Sequence, residues 1–454
     1  MHRVSFSTVS FVAVAALVLL LLPSTTSGDD SPHWPSFRGA AARGTTAGKA
    51  APVKWNVEKN VNVAWKAKIP GLGLSSPAIW GKQLFVTTAV SKGGNEKLKH
   101  GLYGDIRPVA DSSEHSWGLI CLDKVTGKKL WEKTAHRGVP KIKRHPKASH
   151  ANSSPATNGK YVVAFFGSEG LYAYKMNGDL AWKKDLGVLD AGYYVVPAAQ
   201  WEYGSSPIIF ENKLIVQCDI QSGGFVAAFD VENGNELWRT PRKDVPTWST
   251  PAVHVGKKGR QVILNGFRHL GAYDLDSGKE LWKLSGGGDI PVPTPVFGHG
   301  LVYLTNAHGR LRPIYAIDPE TASGDISIQP SEKNNAHIRW WKPRRGNYMQ
   351  TPILLGDLLY CCGDSGVLGC YDAKTGDEKF LKRIARSGFT ASPVASGGHL
   401  YFTSEDGDVH VLKAGAVFEE VAVNSLGEPS LASPAVSEGR LYFRTRHHII
   451  SVGK

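Results

Sequence analysis

Sulfur is scarce in this chain. It holds three methionines and five cysteines among 454 residues, and no cysteine precedes Cys121. An odd, small set of cysteines excludes a disulfide-stapled scaffold, and the late first cysteine excludes a lipid-modified cysteine near the start. Long apolar runs are equally rare. Residues 11–22 form the one unbroken run, and twelve residues are too few to span a bilayer. The chain has no Gly-x-Ser-x-Gly elbow, no His-Glu-x-x-His pair, no P-loop and no Cys/His spacing suited to zinc. Acidic residues are in deficit, 40 against 53 Lys and Arg, for a net charge of +13.

What the chain has in abundance is glycine, proline and tryptophan, at 50, 26 and 13 residues, the mark of a turn-dense all-β protein. These residues recur in phase. A Ser or Thr followed by Pro opens a short apolar strand at Ser76, Ser154, Ser206, Thr250, Thr294, Thr351, Ser392 and Ser433. Proline is tolerated there because the first residue of a strand need not donate to the ladder. Behind most copies comes a second strand, then a third ending in Asp, a turn Gly and an aromatic residue. Asp123-Gly127-Trp131, Asp230-Gly234-Trp238, Asp274-Gly278-Trp282 and Asp372-Gly376-Phe380 share the same spacing. The Asp can bond the turn backbone, and the Gly serves a turn with positive φ. Eight units with a basic period of about 40–45 residues, four strands each, predict an eight-bladed β-propeller, all-β and antiparallel within each blade. Units one, two and five are longer and carry insertions.

The two ends fit one another. The eighth unit stops after its third strand, while residues 62–65 form a spare strand before the first Ser-Pro. The ring is therefore expected to close by an N-terminal strand completing the last blade, with Trp65 buried there, which removes open sheet edges. Residues 1–28 read as a signal peptide, with His2 and Arg3, an apolar core and small residues at 23–28. Residues 29–53 are expected to be a lead-in segment, with loss of residues 29–50 costing the fold little, and residues 54–454 the propeller. Cys121 and Cys218 fall within strands and are expected to be buried. Cys361 and Cys362 lie on one strand with Cys370 on the next, so a bridge to Cys370 and free thiols are both open.

The phrases Leu122-Asp123-Lys124-Val125-Thr126-Gly127 before Trp131, and Tyr273-Asp274-Leu275-Asp276-Ser277-Gly278 before Trp282, resemble the tryptophan-docking motif of pyrroloquinoline quinone (PQQ)-type propellers. Trp34-Pro35-Ser36-Phe37-Arg38-Gly39 resembles the lead-in of secreted bacterial PQQ-like repeat proteins, and the likeness runs from about residue 34 to 454. It implies eight blades in which the Trp of one blade stacks on the next blade's turn. It also implies two kinds of relative: quinoprotein dehydrogenases of alcohols or sugars, which hold PQQ with calcium, and non-enzymatic members such as the propeller of the outer-membrane β-barrel assembly machinery. The chain departs from the pattern at Tyr174-Lys175, where Asp is expected, in an insertion at residues 319–323, and at Gly415 and Phe418 in blade seven.

Catalytic constellations are thin, so no catalytic residue, metal ligand or cofactor is expected, and PQQ with calcium is the alternative. The loops joining blades and the turns between second and third strands should share one face of the disc. They carry His145, His150, Asn152, Trp201, Trp248, Arg268, His269, Asp289, Asn306, His308, Arg310 and Arg312, which combine flat faces with charge-assisted donors. Residues 133–150 hold six Lys or Arg, three His and no acid. This basic character favours an envelope protein or an anionic polymer as partner and, in an exported chain, argues against nucleic acid. The expected function is a non-enzymatic binding scaffold of the cell envelope, in the periplasm, at the cell surface or secreted. The alternatives are a quinoprotein dehydrogenase and a carbohydrate-binding propeller. No transmembrane span is expected in the mature chain, and the oligomeric state is open.

Overall fold

The computed structural model describes residues 33–94, 96–101, 106–329, 332 and 334–453. The signal-peptide expectation lies outside them, and among the described residues no helix is long and apolar enough to cross a membrane. Eight antiparallel sheets form, and their strands run A-B-C-D in chain order, as in blade three: Ile208–Phe210, Lys213–Cys218, Phe225–Asp230 and Glu236–Pro241. The eighth sheet takes its fourth strand, Val63–Lys68, from the N-terminal side, paired antiparallel with His448–Val452. This is the strand closure the repeat arithmetic predicts.

Burial follows the layering. Middle strands bury both faces, as Tyr161–Phe165 does throughout, because each blade is packed on two sides. Outer strands alternate, as Val63–Lys68 does, because one face meets solvent. The apolar core is accordingly divided among the gaps between blades. Phe165 and Phe229 share one cluster between blades two and three, and Leu284 and Ile317 share another between blades four and five. Ile79, Tyr401 and Tyr442 join blades one, seven and eight in the cluster that closes the ring.

Two repeated devices lock neighbouring blades. On the outside, the indole N–H of Trp65, Trp131, Trp182, Trp238 and Trp340 donates to the next blade's turn, at Lys124 O, Met176 O, Val231 O, Leu275 O and Ala373 O, over 2.9–3.1 Å. The indole lies on the turn glycine so closely that a Cβ on Gly127 would sit 2.5 Å from the Trp65 ring, and one on Gly278 2.4 Å from Trp238. Gly127 also has φ 72°, so no other residue serves there. Asp123 Oδ1 holds the same turn, accepting from Val125 N, Thr126 N and Thr126 Oγ1. Blade two lacks that Asp yet still receives Trp131 through Gly178. Trp282 is the exception. The insertion of blade five returns to blade four, where Gly324–Asp325 pairs parallel with its outer strand, and Trp282 is enclosed there, bonded to Gln261.

On the inside, the Ser/Thr of the Ser/Thr-Pro phrase is the second device. Ser76 N donates to Ser154 Oγ at 2.9 Å, Ser154 N to Ser206 Oγ at 2.9 Å, and Ser206 N to Thr250 Oγ1 at 3.2 Å. The series resumes from Thr294 N to Thr351 Oγ1, Thr351 N to Ser392 Oγ and Ser392 N to Ser433 Oγ, over 2.8–3.0 Å. Between blades four and five the link is Ser249 Oγ to Pro293 O, at 2.9 Å. At the closing junction it is the enclosed Arg444, whose Nη1 reaches Ser75 Oγ and Thr87 O of blade one.

From Trp34 the lead-in segment is bonded into the ring, which argues against the expectation that its loss costs little. Trp34 exchanges two backbone hydrogen bonds with Ile79 of blade one, and Pro35 O accepts from Thr157 of blade two. Arg38, wholly buried, then reaches across the channel to Pro393 O at 2.5 Å and Pro352 O at 2.9 Å in blades seven and six. Residues 34–46 thus floor the channel, and the chain continues along blades seven and eight to the closing strand, through Ala51 O to Tyr401 and Val53 O to Asn424. The five cysteines are all buried and unpaired.

Arg38→Ala strands at least three buried carbonyls, so it should destabilise the fold by about 2–4 kcal/mol in urea unfolding. Trp65 is half-buried rather than enclosed, so Trp65→Ala should cost about 2–3 kcal/mol, below the ~3–5 kcal/mol of a core tryptophan. Unchanged midpoints for either variant would contradict the floor or the closure respectively.

Candidate functional site

Above the floor the channel opens into a cavity of about 550 Å³ on the face that carries the blade-to-blade loops. Its lining follows a simple rule of extended chain. The residue two before each Ser/Thr-Pro serine or threonine shares that residue's face and points to the channel. Those positions are Leu74, Asn152, Gly204, Trp248, Val292, Met349, Thr390 and Leu431, and all eight line the cavity. Phe37, from the floor segment, lies at its base.

One wall is aromatic. The long loop between blades two and three brings Tyr193 and Trp201 together, rings parallel with centroids 5.8 Å apart. Trp248 follows at 5.9 Å from Trp201, and His145 meets Trp201 edge-on at 5.3 Å. Tyr193 continues to His308, which stacks on Tyr348 at 5.6 Å. Six rings from the loops of blades one to six therefore form one contiguous surface. Their polar edges are tied down: Trp248 Nε1 donates to Glu202 O, Trp201 Nε1 to Ile106 O, and His308 Nδ1 meets Asp289 at 2.6 Å.

The opposite wall is polar. Glu405, in the blade-seven turn, is 1% exposed and accepts from Lys147 Nζ, Gly101 N and Thr390 Oγ1, each at 2.6 Å. These bonds clasp the blade-one insertion and the following loop to blade seven across the mouth. Asp364, in the blade-six turn, also lines the cavity, and its carboxylate makes no hydrogen bond or ion pair among the described residues. Among the described residues Lys147 is the one lining residue with a permanent positive charge, and it is already matched by Glu405.

The sequence-derived candidates separate into four groups. His145, Asn152, Trp201, Trp248 and His308 line the cavity, and Asp289 backs it through His308 and Tyr193. His150 and Asn306 are buried behind the wall. Asn306 serves the backbone, bonding Asn265, Gly266 O and Gly288 N. Arg268, Arg310 and Arg312 stand exposed on the rim, Arg268 over the rings of Tyr194 and Phe267. His269 turns outward to Glu280 at 2.5 Å, away from the channel. Tyr193, Tyr348, Asp364 and Glu405 were not singled out as site residues; the register of the Ser/Thr-Pro phrase identifies only the eight inner positions.

Behind Trp201 and Trp248 lies a buried acid–base group. His150 Nδ1 is bonded to Glu202, and Trp117 Nε1 donates to His150 O. Burial pushes the His150 imidazolium down to about 4, with Arg144 adding to the effect, and pushes the Glu202 carboxyl well up. Both shifts favour an uncharged pair sharing one proton. Glu169 nearby is raised to about 7, chiefly by burial, and its Oε2 is buried without a partner among the described residues.

The architecture defines an eight-bladed propeller of PQQ-like repeats. The family model described as outer membrane protein assembly factor BamB matches residues 45–190, 222–325 and 290–416, well over half of the chain, and the chain belongs to that family. No curated protein matches it detectably in sequence. Among solved structures, BamB from Moraxella catarrhalis is similar at TM-score 0.55 and 15% identity, over 80% of this chain and 98% of that one. The quinohemoprotein alcohol dehydrogenase from Comamonas testosteroni is similar at 0.61 and 13%, over 94% and 82%. A europium-containing methanol dehydrogenase is similar at 0.62 and 12%, over 91% and 89%. At such identities the likeness is one of fold.

Among the described residues the cavity is lined by two carboxylates, Asp364 and Glu405, and by one permanent cation, Lys147, which Glu405 matches. No group of three or more His, Cys, Asp or Glu suited to a metal ion occurs among the described residues.

The buried acids make stability depend on pH in two opposed windows. His150 is held neutral when folded, so its contribution is full above about 6.5 and is lost as pH falls toward about 4. Glu169 is held protonated when folded, so its contribution is full below about 4.5 and is lost as pH rises through about 7. Glu169→Gln should therefore gain stability over the parent at about pH 8 relative to about pH 4.5, measured by urea unfolding at both. An equal difference at the two pH values would show that Glu169 does not titrate in that window.

Proposed function

We propose that this protein is a non-enzymatic binding propeller of the cell envelope, exported by its N-terminal segment, which holds a partner on the loop face around the channel mouth. The observation that carries this reading is the division of that face into two zones. Arg268, Arg310 and Arg312 are exposed on the rim of blades four and five, beside a concave aromatic wall. Planar guanidinium groups at a rim engage carboxylates in bidentate pairs and steer an acidic partner, while a rigid aromatic surface supplies hot-spot contacts. The family description and the BamB neighbour support a protein-binding role in the envelope. The dehydrogenase neighbours share the ring at 12–13% identity, a likeness of fold that brings no cofactor to this chain.

The rim is tested with an acidic polymer as probe. Parent protein should be retained on immobilised poly-glutamate and elute with salt, and Arg310→Ala combined with Arg312→Ala should elute at clearly lower salt. Equal elution of parent and variant would remove the basic rim from function. In parallel, PQQ with calcium should give neither saturable quenching of tryptophan fluorescence nor reduction of an artificial electron acceptor. A titration of one PQQ per chain would replace the scaffold reading with the dehydrogenase.

A further inference from the structure

We infer that the channel-mouth cavity is a small-molecule site for a neutral saccharide, distinct from the basic rim; the inference rests on the reading of the loop face as a binding face. The shape lets a small molecule seat below the plane on which a partner protein docks. A concave space of about 550 Å³ closed below by Phe37 and the Arg38 segment is the size and form of a ligand pocket rather than of a docking plane.

Charge narrows the class. The chain as a whole carries +13, yet the cavity does not share that sign. Lys147 is matched by Glu405 at 2.6 Å, His308 by Asp289 at 2.6 Å, and Asp364 remains as a carboxylate with no hydrogen-bonding or ionic partner among the described residues. An anionic ligand would bring its charge toward unmatched acid, so carboxylated or sulfated sugars and polyphosphates are disfavoured. The excess of basic residues lies outside this pocket.

The lining then selects among neutral and cationic ligands. A quaternary ammonium group is held where several rings close around one point. Here the rings form an extended wall instead. Trp248, Trp201 and Tyr193 follow one another at 5.8–5.9 Å, and His308 and Tyr348 continue the series. A row of flat faces matches a ligand that is itself a row of rings. Sugar rings present apolar C–H faces to stack and hydroxyl donors at their edges. Across the cavity, Asp364 offers the acceptor pair that takes two neighbouring hydroxyls. The wall is preorganised: Trp248 Nε1 and Trp201 Nε1 are bonded to backbone carbonyls, and the clasp at Glu405 fixes the far side. Little side-chain freedom is lost on binding, which favours a weakly apolar ligand.

The test titrates tryptophan fluorescence, with calorimetry as a second readout, using maltotriose, cellotriose and tri-N-acetylchitotriose, and choline as the cationic comparison. At least one trisaccharide should bind saturably with one site per chain. Trp201→Ala should weaken it by about tenfold or more, Trp201→Phe by only about threefold, and Asp364→Asn by several-fold, each variant checked by circular dichroism. Because Trp201 is half-buried and the Asp364 carboxylate bonds no described residue, while its backbone bond from Phe389 N survives the change, at least Asp364→Asn retains the fold. Absence of binding by all three trisaccharides overturns the inference, as does unchanged affinity in both Trp201→Ala and Asp364→Asn. Choline binding more tightly than any trisaccharide overturns it in favour of a cation site. The rim experiment with poly-glutamate is independent of these outcomes, so a failed sugar site and a failed scaffold reading are told apart.

Discussion

The constraint on which this molecule depends is the inner girdle, in which the backbone N–H of one blade's Ser or Thr donates to the hydroxyl of the next. A blade's innermost strand is only two to five residues long and is preceded directly by a proline that cannot donate. Left alone, such a strand would offer poor purchase to its neighbour and leave buried backbone groups unsatisfied, at about 1–3 kcal/mol each. The hydroxyl solves both problems at one atom. It also fixes the register of the chain entering each blade, and that register sends every second residue before it into the channel. Fold and candidate site thus have a common origin: the bond that spaces the blades aims Trp248, Asn152 and Thr390 into the cavity.

Much of the ring was readable from the chain alone, because its determinants are local and repeated. Asp, Gly and Trp at steps of four, a Pro at each strand start, and a spare strand opposite a missing one are statements about residues close in sequence. What escaped were single long-range solutions. Arg38 bonds carbonyls more than 300 residues away, and nothing in the composition of residues 29–53 distinguishes a floor from a tether. Trp282 has the same motif as Trp238, yet an insertion from the next blade encloses it and turns its indole to Gln261. In the site, the aromatic wall was partly visible in the loops, whereas Tyr348, Asp364 and Glu405 were not, since their convergence requires knowing which turns face inward. Net charge speaks for the rim and not for the cavity. A sum over the whole chain reports the average surface, and among the described residues that line the cavity Lys147 alone carries a permanent positive charge.

The buried group behind the wall shows what such a site demands of its support. His150, Glu202 and Glu169 would each be costly as charges at their depth, and the pairing of His150 with Glu202 leaves the group near neutral. Glu202 sits at φ 69°, strained for a residue with a side chain. Its backbone carbonyl is the acceptor that orients Trp248. The strain and the buried acid lie at the same residue, and that residue sets a ring of the wall. This places the polar cluster in the role of positioning the aromatic surface rather than of reacting.

A propeller separates rigidity from recognition more cleanly than most folds. The clefts between blades hold the apolar cores, and the outer tryptophans and the inner hydroxyls bind blade to blade, so stability is spread around the circumference. The loops on the open face are then free to differ, and here they differ in a graded way. Blades one and two carry the longest excursions, which meet across the channel at Glu405 and build the Tyr193–Trp201 corner, while blades three, seven and eight keep short connections that leave the mouth open on their side. A floor closed by Arg38 turns the through-channel into a pocket with a single entrance. In a through-channel, ligand contacts at opposite ends would have to be satisfied separately and water would cross the stack. With one end shut by a wholly buried guanidinium, the aromatic wall faces a space enclosed at its base and open at its rim, the form that suits a ligand with apolar faces and polar edges.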